Sequence, residues 1–401
     1  MLSRTADHLF WMARYTERAE NTARMLDVNM QTSMLPQSEQ DAEQGWRATL
    51  GISELQSAYD HKYGRFHTRD VLDFMVRDPN NPSSILACLT GARENARAVR
   101  GTLTTEVWEI QNATWLDMQK RLKSNLLETD PSAFFEWVKY RSHLSRGVTL
   151  GTMLKDEAIH FIRLGTFLER ADNTARILDV KFHGARDTSK DVAQRDFYYW
   201  AALLRSVSGF EIYRKVYRDV ITPARVAELL MLRGDMPRSL LACMDDVVEN
   251  LKHIRNDVSA DTERFAGKLH AELKFGHIDD IMKAGLHLTL TEFLENIYDL
   301  GNRVSRDFLV PLAAVVPIRN ASGTARSSAN SSSRIACSER VAKVSPFQVL
   351  MLARQRRVTQ RPEATGIGSS LPTREVFSSS AIRNAMSIDC SAFRRGSQTV
   401  W

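Results

Sequence analysis

Apolar and polar positions follow a helical period through most of the first 312 residues. Setting position 17 at zero and stepping about 100° per residue, Met12, Tyr15, Ala19, Thr22, Ala23 and Leu26 fall on one side of a helix. Arg14, Glu17, Glu20, Asn21 and Arg24 fall on the other. The pattern predicts an amphipathic helix over 3–30 with a dense charged face, capped by Ser3 or Thr5 and uninterrupted by Gly or Pro. The same layout returns over 156–180. Further on, 46–63 and 200–217 read as aromatic helices, and Pro82 and Pro237 each follow a turn and suit the first position of a helix. No period-2 run with hairpin turns stands out, so the expected class is all-α.

The two charged helices are nearly one text. Positions 17–28 read ERAENTARMLDV and 169–180 read ERADNTARILDV, identical at ten of twelve places. Agreement continues at His8 with His160, then at Trp46, Tyr59 and Tyr63 with Trp200, Tyr213 and Tyr217. PSSILACL (82–89) matches PRSLLACM (237–244), and the offset drifts from 152 to 155 as loop insertions would cause. The reading is an internal duplication: a helical bundle of two multi-helix halves, about 3–150 and about 155–312, related by a pseudo-twofold. Cys88 and Cys243 occupy equivalent apolar sites and read as small buried hydrophobes.

Composition changes the picture only at the end of the chain. The formal charge is +6. Residues 313–401 hold 13 basic against 4 acidic side chains, leaving 41 against 44 in 1–312. The body is mildly acidic, and a nucleic-acid reading would rest on the tail alone. That tail, rich in Ser and Arg, has no sustained period beyond a short stretch at 346–357 and reads as disordered. A frameshifted or read-through end fits its composition as well as a genuine flexible tail does. No apolar run approaches the roughly 20 residues of a membrane helix, and the N-terminus does not resemble a secretory signal. Four cysteines without metal-ligand spacing point to a reducing compartment, so a cytoplasmic protein without membrane association is expected.

On a helix Glu17, Asn21 and Arg24 lie within about 60° of one another, as do Glu169, Asn173 and Arg176. Arg18 and Arg170 sit at the edge of that face, Glu20 and Asp172 belong to it, and Asp27 and Asp179 close it a turn later. Two such faces meeting would make a Glu/Asn/Arg cluster. Three roles stay open for it: a buried or semi-buried structural network, a ligand or catalytic site with Glu17 or Glu169 as acid/base, or a partner surface. A metal site is not expected. The step from Glu157 to His160 is a single E-x-x-H whose counterpart begins with Thr5, and di-iron bundles need that step twice. There is no Walker loop, G-x-G-x-x-G or G-x-S-x-G, and no cofactor is expected.

The opening LSRTADHLFWMARYTERAENTARMLDV, with Glu17-Arg18 repeated as Glu169-Arg170, resembles the bacterial alpha-E proteins, helical proteins named for an ER motif. The resemblance covers about 1–312; His8, where a small polar residue is expected, and the tail depart from it. It implies an accessory place in a system that makes and cleaves amide or peptide bonds. Such proteins are typically encoded beside a circularly permuted ATP-grasp protein and a transglutaminase-like cysteine protease, the implied partners. Two expectations follow: a non-catalytic adaptor, or an enzyme acting on a peptide or amide intermediate through the paired Glu–Arg helices.

Overall fold

In the computed structural model, which describes residues 1–34, 38–184 and 192–309, the two near-identical stretches lie on the two longest helices, and these pack against each other. They are α1 (Ser3–Ser33) and α9 (Glu157–Gly184). Two features let them approach. Ala19, Ala23, Ala171 and Ala175 are buried with no side chain beyond Cβ, and Gly165 sits so tightly on the backbone of Phe10 that an added Cβ would lie 2.3 Å from the Phe10 carbonyl oxygen.

All regular structure among the described residues is helical. After α1 come α2 (Glu39–Ile52), α3 (Gln56–Tyr63), α4 (Thr68–Val76), α5 (Ile85–Ala98), α6 (Thr105–Lys123), α7 (Leu126–Thr129) and α8 (Pro131–Thr152). After α9 the order of long and short helices repeats: α10 (Val192–Ser206), α11 (Phe210–Tyr217), α12 (Pro223–Met231), α13 (Leu240–His253), α14 (Ala260–Lys274), α15 (Ile278–Ala284) and α16 (Leu286–Phe308). Helices α5 and α8 flank α1, and α13 and α16 flank α9. Helix α6 packs on α5 and α8, as α14 does on α13 and α16. The described residues fall in one compact unit. The expected disordered tail, 313–401, lies outside the described residues.

Local contacts match as well. Trp46 and Trp200, Tyr59 and Tyr213 are the largest fully buried side chains. The Tyr59 hydroxyl accepts from the His67 N–H at 3.2 Å, and that of Tyr213 accepts from the Thr222 N–H at 3.2 Å, so each tyrosine closes the loop behind its own helix. His8 Nδ1 meets Asn95 Oδ1 at 2.8 Å, and His160 Nδ1 meets Asn250 Oδ1 at 2.8 Å. Cys88 and Cys243 are buried, and burial pushes each thiol up to about 12.

Three local expectations are corrected. Helix α1 is capped by neither Ser3 nor Thr5; Leu2 precedes it without a side-chain bond. Helices α5 and α13 do not begin on Pro82 and Pro237 but behind Ser84 and Ser239. Those hydroxyls accept from the N–H groups of Ala87 (3.1 Å) and Ala242 (3.0 Å), satisfying a donor that proline has no means to satisfy. The aromatic segments are each two helices, broken where Glu54 (φ 54°) and Ser208 (φ 55°) turn left-handed. The N–H groups of Leu55 and Gly209 then reach back to the carbonyls of Leu50 (2.8 Å) and Leu204 (2.7 Å), closing the helix in a Schellman-type end.

Candidate functional site

The charged face of α1 is not a solvated one. Glu17 is 1% exposed and Glu20 0%, because α8 and α9 cover the side that the wheel leaves polar. Carboxylates so placed need several donors each, since desolvating an ion costs several kcal/mol. Glu17 receives them from three elements. Arg170 of α9 donates Nε–H to Oε1 (2.9 Å) and Nη2–H to Oε2 (3.0 Å). Arg238, just before α13, donates to Oε1 (3.1 Å), and Arg146 of α8 donates to Oε2 (2.9 Å). Glu20 accepts from Arg238 (2.6 Å), Arg146 (2.5 Å), Arg24 (2.8 Å) and the Ser142 hydroxyl (2.7 Å). Asn21 Oδ1 accepts from Arg238 at 3.0 Å.

A second cluster gathers around Glu169 of α9. Glu169, 3% exposed, accepts from Arg14 Nε (2.8 Å) and from both Nε and Nη2 of Arg18, the latter at 2.8 Å. Arg176 donates to Asp172 (2.9 and 3.1 Å) and to Glu54, which stands exposed at the turn between α2 and α3. The two motifs are therefore cross-paired: Arg170 of one holds Glu17 of the other, and Arg18 holds Glu169.

The charge states follow from this geometry. Burial drives the Glu17 carboxyl upward, but Arg170 and Arg238 outweigh it and hold the group at about 2. Glu20 is likewise opposed by burial yet falls well below the carboxylate range through Arg238 and Arg146. Asp172 is lowered in the same way, by Arg176 against burial. Burial alone would lower Arg18 and Arg170, but Glu169 and Glu17 respectively raise them above the usual value. Desolvation does prevail at Arg14 and Arg238, lowering both below the usual guanidinium value; a guanidinium remains cationic in a protein regardless.

Not every candidate joins in. Asp27 turns away to Lys139 (2.7 Å) and Asp179 to His287 Nδ1 (2.6 Å), both outside the two clusters. Asn173 bounds a small cleft of about 60 Å³ between α1 and α9, together with Asn21, Glu169 and Asp172. The buried Nδ2 of Asn21 has no hydrogen-bond partner. Sequence reasoning missed Arg146, Arg238, Ser142 and Glu54 as members. Only Arg238 left a trace, as the one charged residue distinguishing PRSLLACM from PSSILACL.

An all-helical body whose two central helices exchange buried Glu–Arg pairs defines the class of this protein. The chain belongs to the Alpha-E family, described as a predicted alpha-helical domain with a conserved ER motif, whose model matches residues 1–309. It is similar to uncharacterized protein Mb2597 of Mycobacterium bovis (26% identical over 318 residues) and uncharacterized protein Rv2567 of Mycobacterium tuberculosis (25% over 318). In both cases 74% of this chain aligns with 35% of the relative, so the chain spans about a third of the length of the curated relatives it matches. No solved structure matches it. No described helix is long and apolar enough to cross a membrane.

Proposed function

We propose that the paired ER motifs are a structural clasp and that the chain is a non-catalytic adaptor in an amide- or peptide-bond-forming system built around an ATP-grasp ligase and a transglutaminase-like protease. The saturation of Glu17 carries the first half of this reading. A general base works best near the operating pH, whereas Glu17 is held at about 2 and each of its oxygens already accepts from two guanidiniums. The partners come from the family resemblance. The length of the relatives supports an accessory place, since their matched region occupies only 35% of the polypeptide. The same clasp is consistent with a duplicated origin, in which each half contributes one motif and the arginine of each motif holds the other's glutamate.

Co-expression with an ATP-grasp protein and a transglutaminase-like protein of the kinds the resemblance implies, followed by affinity purification and size-exclusion chromatography, tests the adaptor role. A stable complex is expected. Recovery of the chain alone from cells making all three sinks the adaptor reading. Glu17→Gln and Glu169→Gln variants that keep the wild-type melting curve and the complex, yet abolish turnover of the assembled system, would turn the assignment to an enzyme.

A further inference from the structure

The two charge clusters differ at several side chains, and one of those differences falls at the cleft. At the offset of 155 that relates PSSILACL to PRSLLACM, Arg238 corresponds to Ser83. In the first cluster the Arg238 guanidinium is anchored by Glu17, Asn21 Oδ1 and Glu20. Its anchors recur at the offset of 152 as Glu169, Asn173 and Asp172, and all three line the cleft together with Ser83. Where one half inserts its own guanidinium, the other has a serine and an open volume of about 60 Å³.

Charge allows an occupant of the same kind. The first cluster sets Arg24, Arg146, Arg170 and Arg238 against two carboxylates, Glu17 and Glu20. The second sets Arg14, Arg18 and Arg176 against three, Glu54, Glu169 and Asp172. A further cation would leave the second cluster still less positive than the first, which already tolerates its excess. Glu54 stands exposed at the edge of the cleft, while Glu169, Asp172, Met25 and Ile52 are buried around it. A lining of two buried carboxylates, an exposed one and an amide suits the planar fork of a guanidinium better than a compact ammonium.

We propose that the cleft between α1 and α9 is a receptor for a guanidinium group brought from outside, on an arginine side chain of a peptide or on a free guanidino compound. The occupant stands where Arg238 stands in the other cluster, donating to Glu169, Asp172 and Asn173. One feature of the cleft a guanidinium leaves unsatisfied: the buried Asn21 Nδ2 is a donor and calls for an acceptor. A primary amide, which both donates and accepts, is therefore the rival occupant.

Methyl NMR of the whole chain, reading Met25 and Ile52 at constant ionic strength, separates these cases. Agmatine, acetyl-Gly-Arg-Gly-amide, butylamine and acetamide are the probes. Agmatine or the arginine peptide is expected to shift both methyls saturably, at least about tenfold more tightly than butylamine or acetamide, the factor that one charge-assisted hydrogen bond supplies. Tighter binding of the peptide than of agmatine assigns the group to a polypeptide, and the reverse order to a free compound. Ser83→Arg is expected to fill the cleft from within and abolish the response. Acetamide binding as tightly as agmatine, no saturable shift with any probe (a cleft holding water only), or an undiminished response in a folded Ser83→Arg protein overturns the proposal. If Ser83→Arg does not fold, the probe ranking on the wild-type chain decides. A failure here leaves the clasp standing, since the clasp rests on stability and this site on binding.

Discussion

Glu17 is buried and accepts four hydrogen bonds from three guanidiniums, and its removal should be costly in a particular way. Replacing it by Gln keeps the shape but leaves Arg170 and Arg238 facing an amide. Breaking one partner of a buried ionic set typically costs about 3–5 kcal/mol, because the remaining charge stays desolvated. Urea denaturation of Glu17→Gln should therefore show a loss of that order, and a loss below about 1 kcal/mol would place the network among decorative ion pairs. The pH dependence carries a second signature. The folded value of about 2 lies below the ordinary 4.5, so the group's contribution is complete above pH 4.5 and is lost as pH falls toward 2. The shift corresponds to a contribution on the order of 3 kcal/mol. The wild-type protein should lose stability steeply across that window, with Glu20 and Asp172 adding in the same direction. Glu17→Gln should have a shallower slope there. Much of this was legible in the sequence: ERAENTAR and ERADNTAR named Glu17, Glu169, Arg18 and Arg170 directly. Arg146 was not, because it arrives from α8 on a helix whose own text repeats nothing, and only tertiary packing brings it to Glu20.

At the scale of helices the question is why α1 and α9 stay in register. Ridges of alanine allow the approach, and Gly165 fixes where along the axis it is closest, since no Cβ fits against the Phe10 carbonyl. Gly165→Ala should force the pair apart and cost about 1–3 kcal/mol, the usual range for overpacking a filled site. Gly147 in α8 makes the control. A Cβ there meets nothing within 4 Å, so Gly147→Ala should stabilise by about 0.5–1 kcal/mol through helix propensity alone. Opposite signs for one chemical change, read as shifts in the urea midpoint, would show that contact at Gly165 and not glycine content sets the spacing. Equal signs would discard this account. The sequence declared the helices but misplaced some of their ends. Glu54 and Ser208 break the aromatic segments by adopting a left-handed conformation usually left to glycine, a choice that residue type does not announce. The helix wheel predicted a polar face and had no means to tell that α8 and α9 would bury it.

For the molecule as a whole, cross-pairing makes the two helix series depend on one another. Glu17 lies on α1, but its donors come from α8, α9 and the turn before α13; Glu169 lies on α9, and its donors come from α1. Removing the second series would strand Glu17 with Arg146 alone, and removing the first would leave Glu169 with none of the donors described. An ion left desolvated without its partners costs several kcal/mol, a large share of the margin on which a domain folds, so neither series should persist folded while the other is open. Hydrogen exchange in low urea tests this. Peptides from α5, which flanks α1, and from α13, which flanks α9, should exchange through a single opening reaction with the same free energy and the same dependence on urea. In Glu17→Gln both openings should drop together, although only one of the two helices neighbours the altered residue's own helix. If α13 instead kept its protection while α5 lost it, the halves would be separate folding units joined by a surface. The buried Glu–Arg exchange would then be a contact made after folding and not the element that couples them.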